Sequence, residues 1–346
     1  MAFLLQPAAF LALKNQEVPI LDVRSPAEFE HAHISEALNF PLFDDEERKV
    51  IGTLYKQVSR DAAMIKGLEL VGPRMADIIR NALEISPAKQ IAVHCARGGK
   101  RSESTAWLLE NAGFSVYLLV GGYKAIRRYY LSFLERSHFK FLVLGGRTGS
   151  RKTKMLQLLQ QSGEQVLDLE GIAGHKGSAF GHLGLQIQKG YERFENRIAE
   201  HLLELDQERI VWVEAESRHI GRLMVPKAIW DQMSCAPMIF LDVSAEERLS
   251  TIMEEYGLHE THLLESAFLN IRNRIGPQHA DAAVKFLKDG NLDGAAKIAM
   301  LYYDKHYDFH RQNEQKRTVF KVNSKGDSLE ELLVKLLEAS KKVIEK

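Results

Sequence analysis

One cysteine of this chain lies in surroundings that favour chemistry at sulfur. The segment VHCARGGKRSES, residues 93–104, places Cys95 after an apolar run and ahead of Gly98, Gly99 and several basic residues. Glycines let the backbone turn its N–H groups towards a bound anion, and a helix N-terminus or nearby cations lower the pKa of a thiol. The sequence therefore predicts a reactive thiolate at Cys95, which would equally hold an anionic group bonded to its sulfur.

The residues expected to serve this thiol share one loop and the start of one helix. They supply backbone N–H groups, positive charge or the helix N-terminus, and they are Arg97, Gly98, Gly99, Lys100, Arg101 and Ser102. The other cysteine, Cys235, has none of these neighbours and is expected to be inert. Two distant cysteines give no disulfide framework, which suits the reducing cytoplasm.

A second candidate site follows another apolar run. The segment VLGGRTGSRKTKML, residues 143–156, approaches the phosphate-binding pattern G-x-x-x-x-G-K-[ST], because Gly146, Lys152 and Thr153 match it. The backbone of such a loop cradles phosphate oxygens, Lys152 would reach across them, and Thr153 would ligate magnesium. Arg151 stands where the pattern has its second glycine. Its side chain would either crowd the phosphate position or add a cation for a diphosphate.

Two later segments are expected to complete this phosphate site. DLEGIAGHKGSAFG, residues 168–181, has the composition of a substrate-holding loop, and IVWVEAESRHIG, residues 210–221, ends a predicted strand in acidic side chains that suit magnesium or a water. We predict Thr153 and Glu214 as magnesium ligands. The predicted binding residues are Gly146, Thr148, Gly149, Ser150, Arg151, Lys152, Thr153, Asp168, Glu170, His175, Lys176, Ser178, Glu214, Glu216, Ser217 and Arg218.

Short apolar runs that alternate with helix-like stretches must position both sites. The alternation indicates parallel sheets with helices on both faces, and therefore an α/β fold. We predict two domains, 1–134 and 135–346, the second with a mostly helical part from residue 245 onwards; residues 1–16 are predicted to form a short helix. The predicted strands are 18–23, 91–95, 116–122, 139–146, 165–171, 209–217 and 236–244.

Composition limits the partners of the chain. Lys+Arg and Asp+Glu both number 46, so the formal net charge is zero and a polyanion must be met by a local basic patch. Candidates for phosphate contacts are Lys124, Arg127, Arg128, Arg193 and Arg197. The apolar start of the chain lacks the basic leader and the cleavage pattern of an export signal, and no membrane span is expected.

The first domain resembles a rhodanese module over roughly residues 5–134. The resemblance rests on PILDVRSPAEFEHAHISEALNFPL (19–42), on the cysteine loop and on LLVGGYKAIRRY (118–129). It implies a rhodanese-like parallel-sheet domain in which Cys95 carries a persulfide and Asp22 and Arg24 tie the cysteine loop to the first strands. The loop is one residue longer than in ordinary sulfurtransferases, so selenium, phosphate and arsenate compete with sulfur as its cargo.

Over nearly its whole length the chain resembles the tRNA 2-selenouridine synthase family, which fuses a rhodanese domain to a P-loop NTPase-like α/β domain. The matching motifs are GTLYKQ (52–57), CARGGKRS (95–102), GGYKA (121–125), DLEG and HKGSAFG within 168–181, and VEAESR (213–218). The resemblance implies that a geranyl group from geranyl diphosphate is placed on the sulfur of a wobble 2-thiouridine, and that selenium from selenophosphate then replaces the S-geranyl group.

The same resemblance implies the partners and the division of labour. Cys95 would act as an S-selanylcysteine carrier, and the P-loop would hold the diphosphate. The partners would be a tRNA with a thiolated wobble uridine and the enzyme that supplies selenophosphate, with no tightly bound cofactor. Two alternatives stay open: a P-loop kinase or NTPase fused to a sulfurtransferase acting on small molecules, and a non-catalytic sensor in which Cys95 reports sulfide or oxidant.

Overall fold

The computed structural model describes residues 2–175, 180, 190–257, 260–313 and 317–344. The chain forms two compact units, and each has a parallel sheet of its own. The first unit comprises Met1–Phe133 with Glu195–Glu200, and the second comprises Leu134–Phe194 with His201–Lys346. The first unit thus includes a short segment that lies beyond residue 134 in the sequence.

The first unit contains a five-stranded sheet in the order β1-β5-β4-β2-β3, and all of its strand pairs are parallel. Residues 91–94 of β4 are all buried, as expected for a strand whose two faces are both covered by helices. The strands are β1 (Phe3–Leu5), β2 (Ile20–Asp22), β3 (Leu38–Asn39), β4 (Gln90–His94) and β5 (Ser115–Leu119).

Seven helices lie wholly or mainly in the described part of the first unit, which also takes in Glu195–Glu200 from the middle of a later helix. A 3-10 turn follows the first helix, and another joins the fourth helix to the fifth. Leu21, Val93, Leu109 and Val116 meet in the buried core between sheet and helices. The helices are α1 (Pro7–Leu11), α2 (Pro26–His31), α3 (Asp45–Gln57), α4 (Arg60–Val71), α5 (Met75–Ile85), α6 (Lys100–Asn111) and α7 (Gly122–Arg136).

The start of the chain differs from the prediction of a single short helix. Phe3–Leu5 is instead the edge strand β1, and Phe3 lies opposite Tyr117 of β5 with their rings stacked at 5.4 Å. Helix α1 follows it. An edge strand of three residues gives no alternation long enough to be recognised, and only pairing with β5 fixes it as a strand.

The second unit contains another five-stranded parallel sheet, in the order β12-β11-β6-β8-β7. Its α/β character and parallel pairing confirm the predicted fold class. A two-stranded antiparallel hairpin lies outside this sheet. The strands of the unit are β6 (Lys140–Gly146), β7 (Gln165–Leu167), β8 (Ile210–Glu214), β9 (His219–Ile220), β10 (Leu223–Met224), β11 (Met238–Val243) and β12 (Val319–Ser324).

Two predicted stretches of this unit need correction. The strand predicted over 165–171 ends at Leu167, because Asp168 accepts a hydrogen bond from the Gly171 N–H and caps a short helix. The region after residue 245 is largely helical, but it also contains β12, which pairs with β11 at the edge of the sheet. The alternating exposure of β12 is that of an edge strand.

The helices of the second unit form two groups. One group covers the sheet, whose core includes Leu144, Leu156, Trp212 and Ile239. The other packs upon itself around Phe268 and forms a separate apolar core. The helices are α8 (Lys152–Gln161), α9 (Leu169–Ala173), α10 (Tyr191–Leu203), α11 (Lys227–Cys235), α12 (Ala245–Tyr256), α13 (Thr261–Asn270), α14 (Arg272–Ile275), α15 (Pro277–Lys288), α16 (Leu292–Asn313) and α17 (Leu329–Ile344).

Among the helices that the structure describes, none combines the length and the apolar character needed to cross a lipid bilayer.

Candidate functional site

The thiol of Cys95 lies directly after β4 at the carboxyl end of the first sheet. The residue is 3% exposed, and its Sγ accepts hydrogen bonds from the Gly99 N–H (3.3 Å) and from the Ser102 hydroxyl (3.1 Å). Burial raises the pKa of the thiol, but hydrogen bonds from Ser102 and from the backbone of Arg97 and Gly99 outweigh it, so the pKa is lowered. The surroundings therefore favour a thiolate.

The cysteine loop owes its shape to contact with the turn between β5 and α7. Gly98 has φ +65°, and a Cβ there would lie 2.8 Å from the Gly121 nitrogen. Gly122 has φ +60°, and its Cβ would lie 2.4 Å from the Cys95 carbonyl oxygen. The Tyr123 N–H donates to that same oxygen at 2.8 Å. Neither glycine can be enlarged without moving the backbone that carries the thiol.

Two of the cations predicted to stabilise the thiolate are paired with carboxylates instead. The Arg101 guanidinium pairs with Glu28 (2.5 Å), and Lys100 pairs with Glu103 (2.9 Å). Arg97 is exposed, and it has no ion-pair partner in the part of the chain that the structure describes. Hydrogen-bond donors, rather than Arg101 or Lys100 as free charges, therefore stabilise the thiolate.

Ser102 contributes more than the sequence indicated. The prediction made it the first residue of the helix, but α6 begins at Lys100 with Gly99 as its N-cap. Ser102 thus lies in the first helical turn with its side chain fully buried, and its hydroxyl is 3.1 Å both from Sγ of Cys95 and from the Gly99 carbonyl oxygen. A polar side chain buried in this way is held by its hydrogen bonds.

A buried ion pair lies next to the cysteine loop. Arg24 donates from Nε and Nη2 to the carboxylate of Asp22 (2.9 and 2.6 Å), and its Nη2 also donates to the Ala32 carbonyl (2.8 Å). The guanidinium lies 4.0 Å from the ring centroid of Tyr123, whose N–H holds the Cys95 carbonyl. Asp22 and Arg24 thus reach the loop through Tyr123, which is consistent with the positioning role that the rhodanese resemblance implied.

The basic residues of α7 are not equally open to a polyanion. The Arg127 guanidinium, predicted as a phosphate contact, forms an ion pair with Glu195 and donates to Asn196 Oδ1 (2.9 Å) within the first unit. It is therefore already neutralised. Lys124 and Arg128 are exposed, and within the described residues neither has an ion-pair partner.

The predicted phosphate loop joins β6 to α8 in the second unit. Lys152 is the first residue of α8, and its Nζ donates to the Gly146 carbonyl oxygen at 2.8 Å, across the loop. A Cβ on Gly149, where φ is +80°, would lie 2.5 Å from the Arg248 carbonyl oxygen. The loop is therefore packed tightly on the start of α12, and Lys152 lies where it can exchange a carbonyl for a phosphate oxygen.

Arg151 adopts a left-handed conformation, with φ +62°. For a residue other than glycine this conformation costs about 1–2 kcal/mol. Its Nε donates to Thr251 Oγ1 at 3.2 Å, so the side chain is held on α12. The backbone thus keeps the shape that the glycine of the pattern would give, while the arginine acquires a contact that the sequence did not indicate.

Carboxyl groups crowd the carboxyl ends of β7 and β8. The Glu170 N–H donates to Glu214 Oε1 (2.6 Å), and the Thr153 hydroxyl is 3.5 Å from Glu170 Oε2. Burial, together with repulsion from Glu216, raises the pKa of Glu170 to about 8. Burial also raises the pKa values of Glu214 and Glu216. Full ionisation of the cluster is therefore disfavoured, and a bound cation would offset the repulsion between the carboxylates.

A magnesium ion fits one feature of this cluster. Glu214 Oε2 is buried and has no hydrogen-bond partner among the described residues, and a divalent cation would satisfy it. No three His, Cys, Asp or Glu side chains within the described ranges come together as a metal-binding group. Magnesium ligation by Thr153 and Glu214 therefore stays a prediction.

Several other predicted binding residues have structural contacts. Ser217 donates to the His219 carbonyl (2.5 Å) and Arg218 to the Val225 carbonyl (3.4 Å), so both hold the β9–β10 hairpin. Asp168 caps α9.

His175 lies just after α9, and its N–H donates to the Glu170 carbonyl at 3.0 Å. Ser150 is buried, and its hydroxyl has no hydrogen-bond partner in the described part of the chain. Lys176 and Ser178 lie outside the described residues.

Sequence reasoning missed the residues that anchor the phosphate loop from a distance. Arg248 of α12 donates to the Thr148 carbonyl (3.3 Å) and forms a bidentate pair with Asp304 of α16 (2.8 and 2.7 Å). No local pattern marks these residues, because they lie about 100 and 156 positions after the loop and meet it only in the fold.

Comparison with known proteins yields two family matches on this chain. Residues 139–335 match the "tRNA 2-selenouridine synthase AAA domain", and residues 7–129 match the "Rhodanese-like domain". The first match alone covers more than half of the chain, and the two together include the cysteine loop and the phosphate loop.

Curated relatives agree with these matches. The chain is similar to the tRNA 2-selenouridine synthase of Sulfurovum sp. (strain NBC37-1), with 33% identity over 92% of this chain and 96% of that protein. The enzyme of the same name from Shewanella denitrificans is 33% identical over 90% of this chain and 93% of its own length. That of Nitrosomonas europaea is 37% identical over 71% of this chain and 66% of its own.

Proposed function

Because the chain belongs to the tRNA 2-selenouridine synthase family, we propose that it converts a wobble 2-thiouridine of tRNA to 2-selenouridine through an S-geranyl intermediate. The proposed donors are geranyl diphosphate and selenophosphate. The proposed partners are a tRNA with a thiolated wobble uridine and the enzyme that supplies selenophosphate, all in the cytoplasm. The family and its type of enzyme rest on the comparisons; the donors and the intermediate are our proposal.

The first step belongs to the phosphate loop. The uridine sulfur forms a bond to C1 of the geranyl group, the C1–O bond breaks, and diphosphate leaves with the electron pair while the N3 proton of the thiouridine passes to solvent. Charge grows on the diphosphate as it leaves. Backbone N–H groups of the loop and Lys152, released from the Gly146 carbonyl, would stabilise that charge.

Magnesium would assist the same step where it binds. It would supply positive charge beside the diphosphate oxygens, with Thr153 and Glu214 as its protein ligands. The unpartnered Glu214 oxygen and the raised pKa values of Glu170 and Glu214 support such a cation site.

The second step belongs to Cys95, which carries selenium as a perselenide anion. Loading of selenium is a two-electron oxidation, so a small disulfide first forms a mixed disulfide with Cys95 and releases one thiolate. Selenide, freed from selenophosphate when water takes its phosphoryl group, then attacks the Cys95 sulfur and displaces the second thiolate; the two thiols used later in this step regenerate the disulfide. The selenium forms a bond to C2 of the pyrimidine, the C2–S bond breaks, and geranylthiolate leaves with the electron pair. A small thiol then attacks the Cys95 sulfur and breaks the S–Se bond, so that selenium stays on the ring; a second thiol restores Cys95. S-alkylation makes the first displacement feasible, because a thiolate leaves more easily than sulfide.

The observation that carries this assignment is the hydrogen bonding at the Cys95 sulfur. Donors from Gly99 and Ser102 lower the thiol pKa in a site that is otherwise buried. The same donors would stabilise a perselenide, whose negative charge lies one atom further out. A cysteine buried for packing alone would show a raised pKa instead.

The proposal is tested with purified protein and tRNA in two separate reactions. We expect Cys95→Ala to abolish conversion of pre-geranylated tRNA to 2-selenouridine, because the selenium carrier is gone. Geranylation of 2-thiouridine tRNA should stay within about twofold of wild type, because only the diphosphate site is needed.

The matched control is Cys235→Ala, which removes the other thiol of the chain, an exposed one. It should leave both reactions unchanged. Normal 2-selenouridine formation by Cys95→Ala would contradict the carrier role.

A further inference from the structure

The middle of helix α10 belongs to the first unit. That unit includes Glu195–Glu200, whereas the residues on either side of this segment belong to the second unit. Glu195 forms an ion pair with Arg127, and Glu200 accepts a hydrogen bond from the Tyr130 hydroxyl at 2.6 Å. Both partners lie on α7, whose first turn contacts the cysteine loop. The segment is therefore attached to the helix that adjoins the thiol site.

Asn196 of this segment is fully buried, and both ends of its amide form hydrogen bonds within the first unit. Its Oδ1 accepts from Arg127 Nη1 at 2.9 Å, and its Nδ2 donates to the Tyr123 hydroxyl at 2.7 Å. A guanidinium can only donate, so it fixes which end of the amide faces it and leaves the NH2 group for the tyrosine. A carboxylate could not donate there, and an aliphatic side chain would serve neither partner. The position therefore suits an amide.

Tyr123 contacts the thiol-bearing chain at two points. Its N–H donates to the Cys95 carbonyl at 2.8 Å. Its ring stacks beside the ring of His94, the residue immediately before Cys95, with centroids 6.5 Å apart and an interplanar angle of 26°. The Arg24 guanidinium lies 4.0 Å from the centroid of the same tyrosine ring. The placement of Tyr123 therefore bears directly on the backbone that carries the thiol.

We propose that Asn196 is a positioning residue for the Cys95 thiol and that it acts through the Tyr123 hydroxyl. With its hydroxyl held by Asn196, Tyr123 keeps its N–H directed at the Cys95 carbonyl. The same loop conformation brings the Gly99 N–H to 3.3 Å and the Ser102 hydroxyl to 3.1 Å from Sγ. This inference rests on the proposed function and deepens it, because it assigns a residue of a later helix to the site that carries selenium.

The first test removes the hydroxyl alone, in Tyr123→Phe. Loss of one neutral hydrogen bond changes an equilibrium about three- to tenfold, and a small displacement of a reacting group slows its reaction. We therefore expect kcat for selenation of pre-geranylated tRNA to fall about three- to tenfold, with KM for that tRNA unchanged. The alkylation of Cys95, followed against pH in proteins that also carry Cys235→Ser, should move to higher pH. Geranylation should be unchanged.

The matched control is Tyr130→Phe, which makes the same chemical change two turns further along α7. The Tyr130 hydroxyl is also bonded to the Glu195–Glu200 segment, but its partner is Glu200. Loss of this bond should lower the free energy of unfolding as Tyr123→Phe does, because each variant loses one buried hydrogen bond to the segment. Selenation kcat and the alkylation profile should stay within about twofold of wild type, since the contacts of Tyr123 are intact.

A double-mutant cycle tests whether Asn196 acts through the tyrosine. Asn196→Ala should slow selenation at least as much as Tyr123→Phe does, because it removes the same hydrogen bond. In the Asn196→Ala background, Tyr123→Phe should change kcat by less than about twofold, since no bond is left to lose. Effects that multiply would contradict the proposed route. If Asn196→Ala does not fold, the comparison of Tyr123→Phe with Tyr130→Phe decides the question, and equal behaviour of these two variants overturns the inference.

The outcomes separate the positioning role from the proposed function, because alkylation of the thiol needs neither tRNA nor selenium. If wild type forms 2-selenouridine but Tyr123→Phe behaves like Tyr130→Phe in both assays, the positioning role is wrong and the proposed reaction stands. If the alkylation profile moves in Tyr123→Phe alone but wild type forms no 2-selenouridine, the positioning role stands and the proposed reaction is wrong.

Discussion

Removal of the Ser102 hydroxyl should raise the pKa of the Cys95 thiol. The hydroxyl lies 3.1 Å from Sγ in a fully buried position, and water cannot replace it there. A hydrogen bond to a charged acceptor contributes about 1.5–3 kcal/mol. Ser102 shares its single proton with the Gly99 carbonyl, also at 3.1 Å, so we expect Ser102→Ala to lose about 1.5 kcal/mol of thiolate stabilisation, the lower end of that range, and the pKa of Cys95 to rise accordingly.

The assay follows the rate at which an alkylating reagent modifies the thiol as a function of pH, because the thiolate is the reactive form. Cys235 is exposed and would react as well, so all variants carry Cys235→Ser. The control is Thr105→Ala. Thr105 is buried one turn further along α6, and its hydroxyl donates to the Arg101 carbonyl (2.9 Å) instead of to the sulfur.

Thr105→Ala removes a buried hydroxyl from the same helix and should leave the Cys95 pKa where it is. If Ser102→Ala shifts the alkylation profile no more than Thr105→Ala does, the serine does not stabilise the thiolate. The explanation of Cys95 reactivity by hydrogen bonding would then be refuted.

Three further predictions concern the second unit. Lys152→Ala should weaken geranyl diphosphate binding by about 2 kcal/mol in calorimetry, because it removes a charge-assisted contact, and it should slow selenation of pre-geranylated tRNA much less. If selenation is impaired as strongly as geranyl diphosphate binding, the two reactions do not use separate sites. Arg151→Gly should improve ATP binding without improving geranyl transfer, and wild-type binding of ATP more tightly than geranyl diphosphate would favour the kinase alternative. Because the pKa of Glu170 rises from its ordinary 4.5 to about 8 on folding, wild-type stability should fall as pH rises from 5 to 8 without magnesium. In urea titrations Glu170→Gln should reduce that fall in the free energy of unfolding by roughly 1 kcal/mol or more. If the free energy of unfolding depends on pH in the same way in wild type and variant, the raised pKa of Glu170 is contradicted.

The parts of the sites that the sequence predicted are those that neighbouring residues encode. The cysteine loop and the phosphate loop each follow a buried strand and precede a helix within about a dozen residues, so pattern and spacing suffice to recognise them. The alternation of apolar runs and helix-like stretches likewise predicted two parallel sheets. These features need no knowledge of distant contacts.

The parts that were missed depend on contacts between distant residues. Phe3–Leu5 is a strand only because β5, more than 100 residues later, offers it an edge. Arg101 looked like a free cation, but Glu28 neutralises it from another helix.

Nucleoside mass spectrometry tests the division of labour between the two sites most directly. tRNA would be taken from cells that lack this protein and are supplied with wild type, Cys95→Ala or Lys152→Ala. We expect 2-selenouridine with wild type, S-geranyl-2-thiouridine with Cys95→Ala, and 2-thiouridine with Lys152→Ala. Formation of 2-selenouridine by Cys95→Ala, or arrest of both variants at the same nucleoside, would contradict the account.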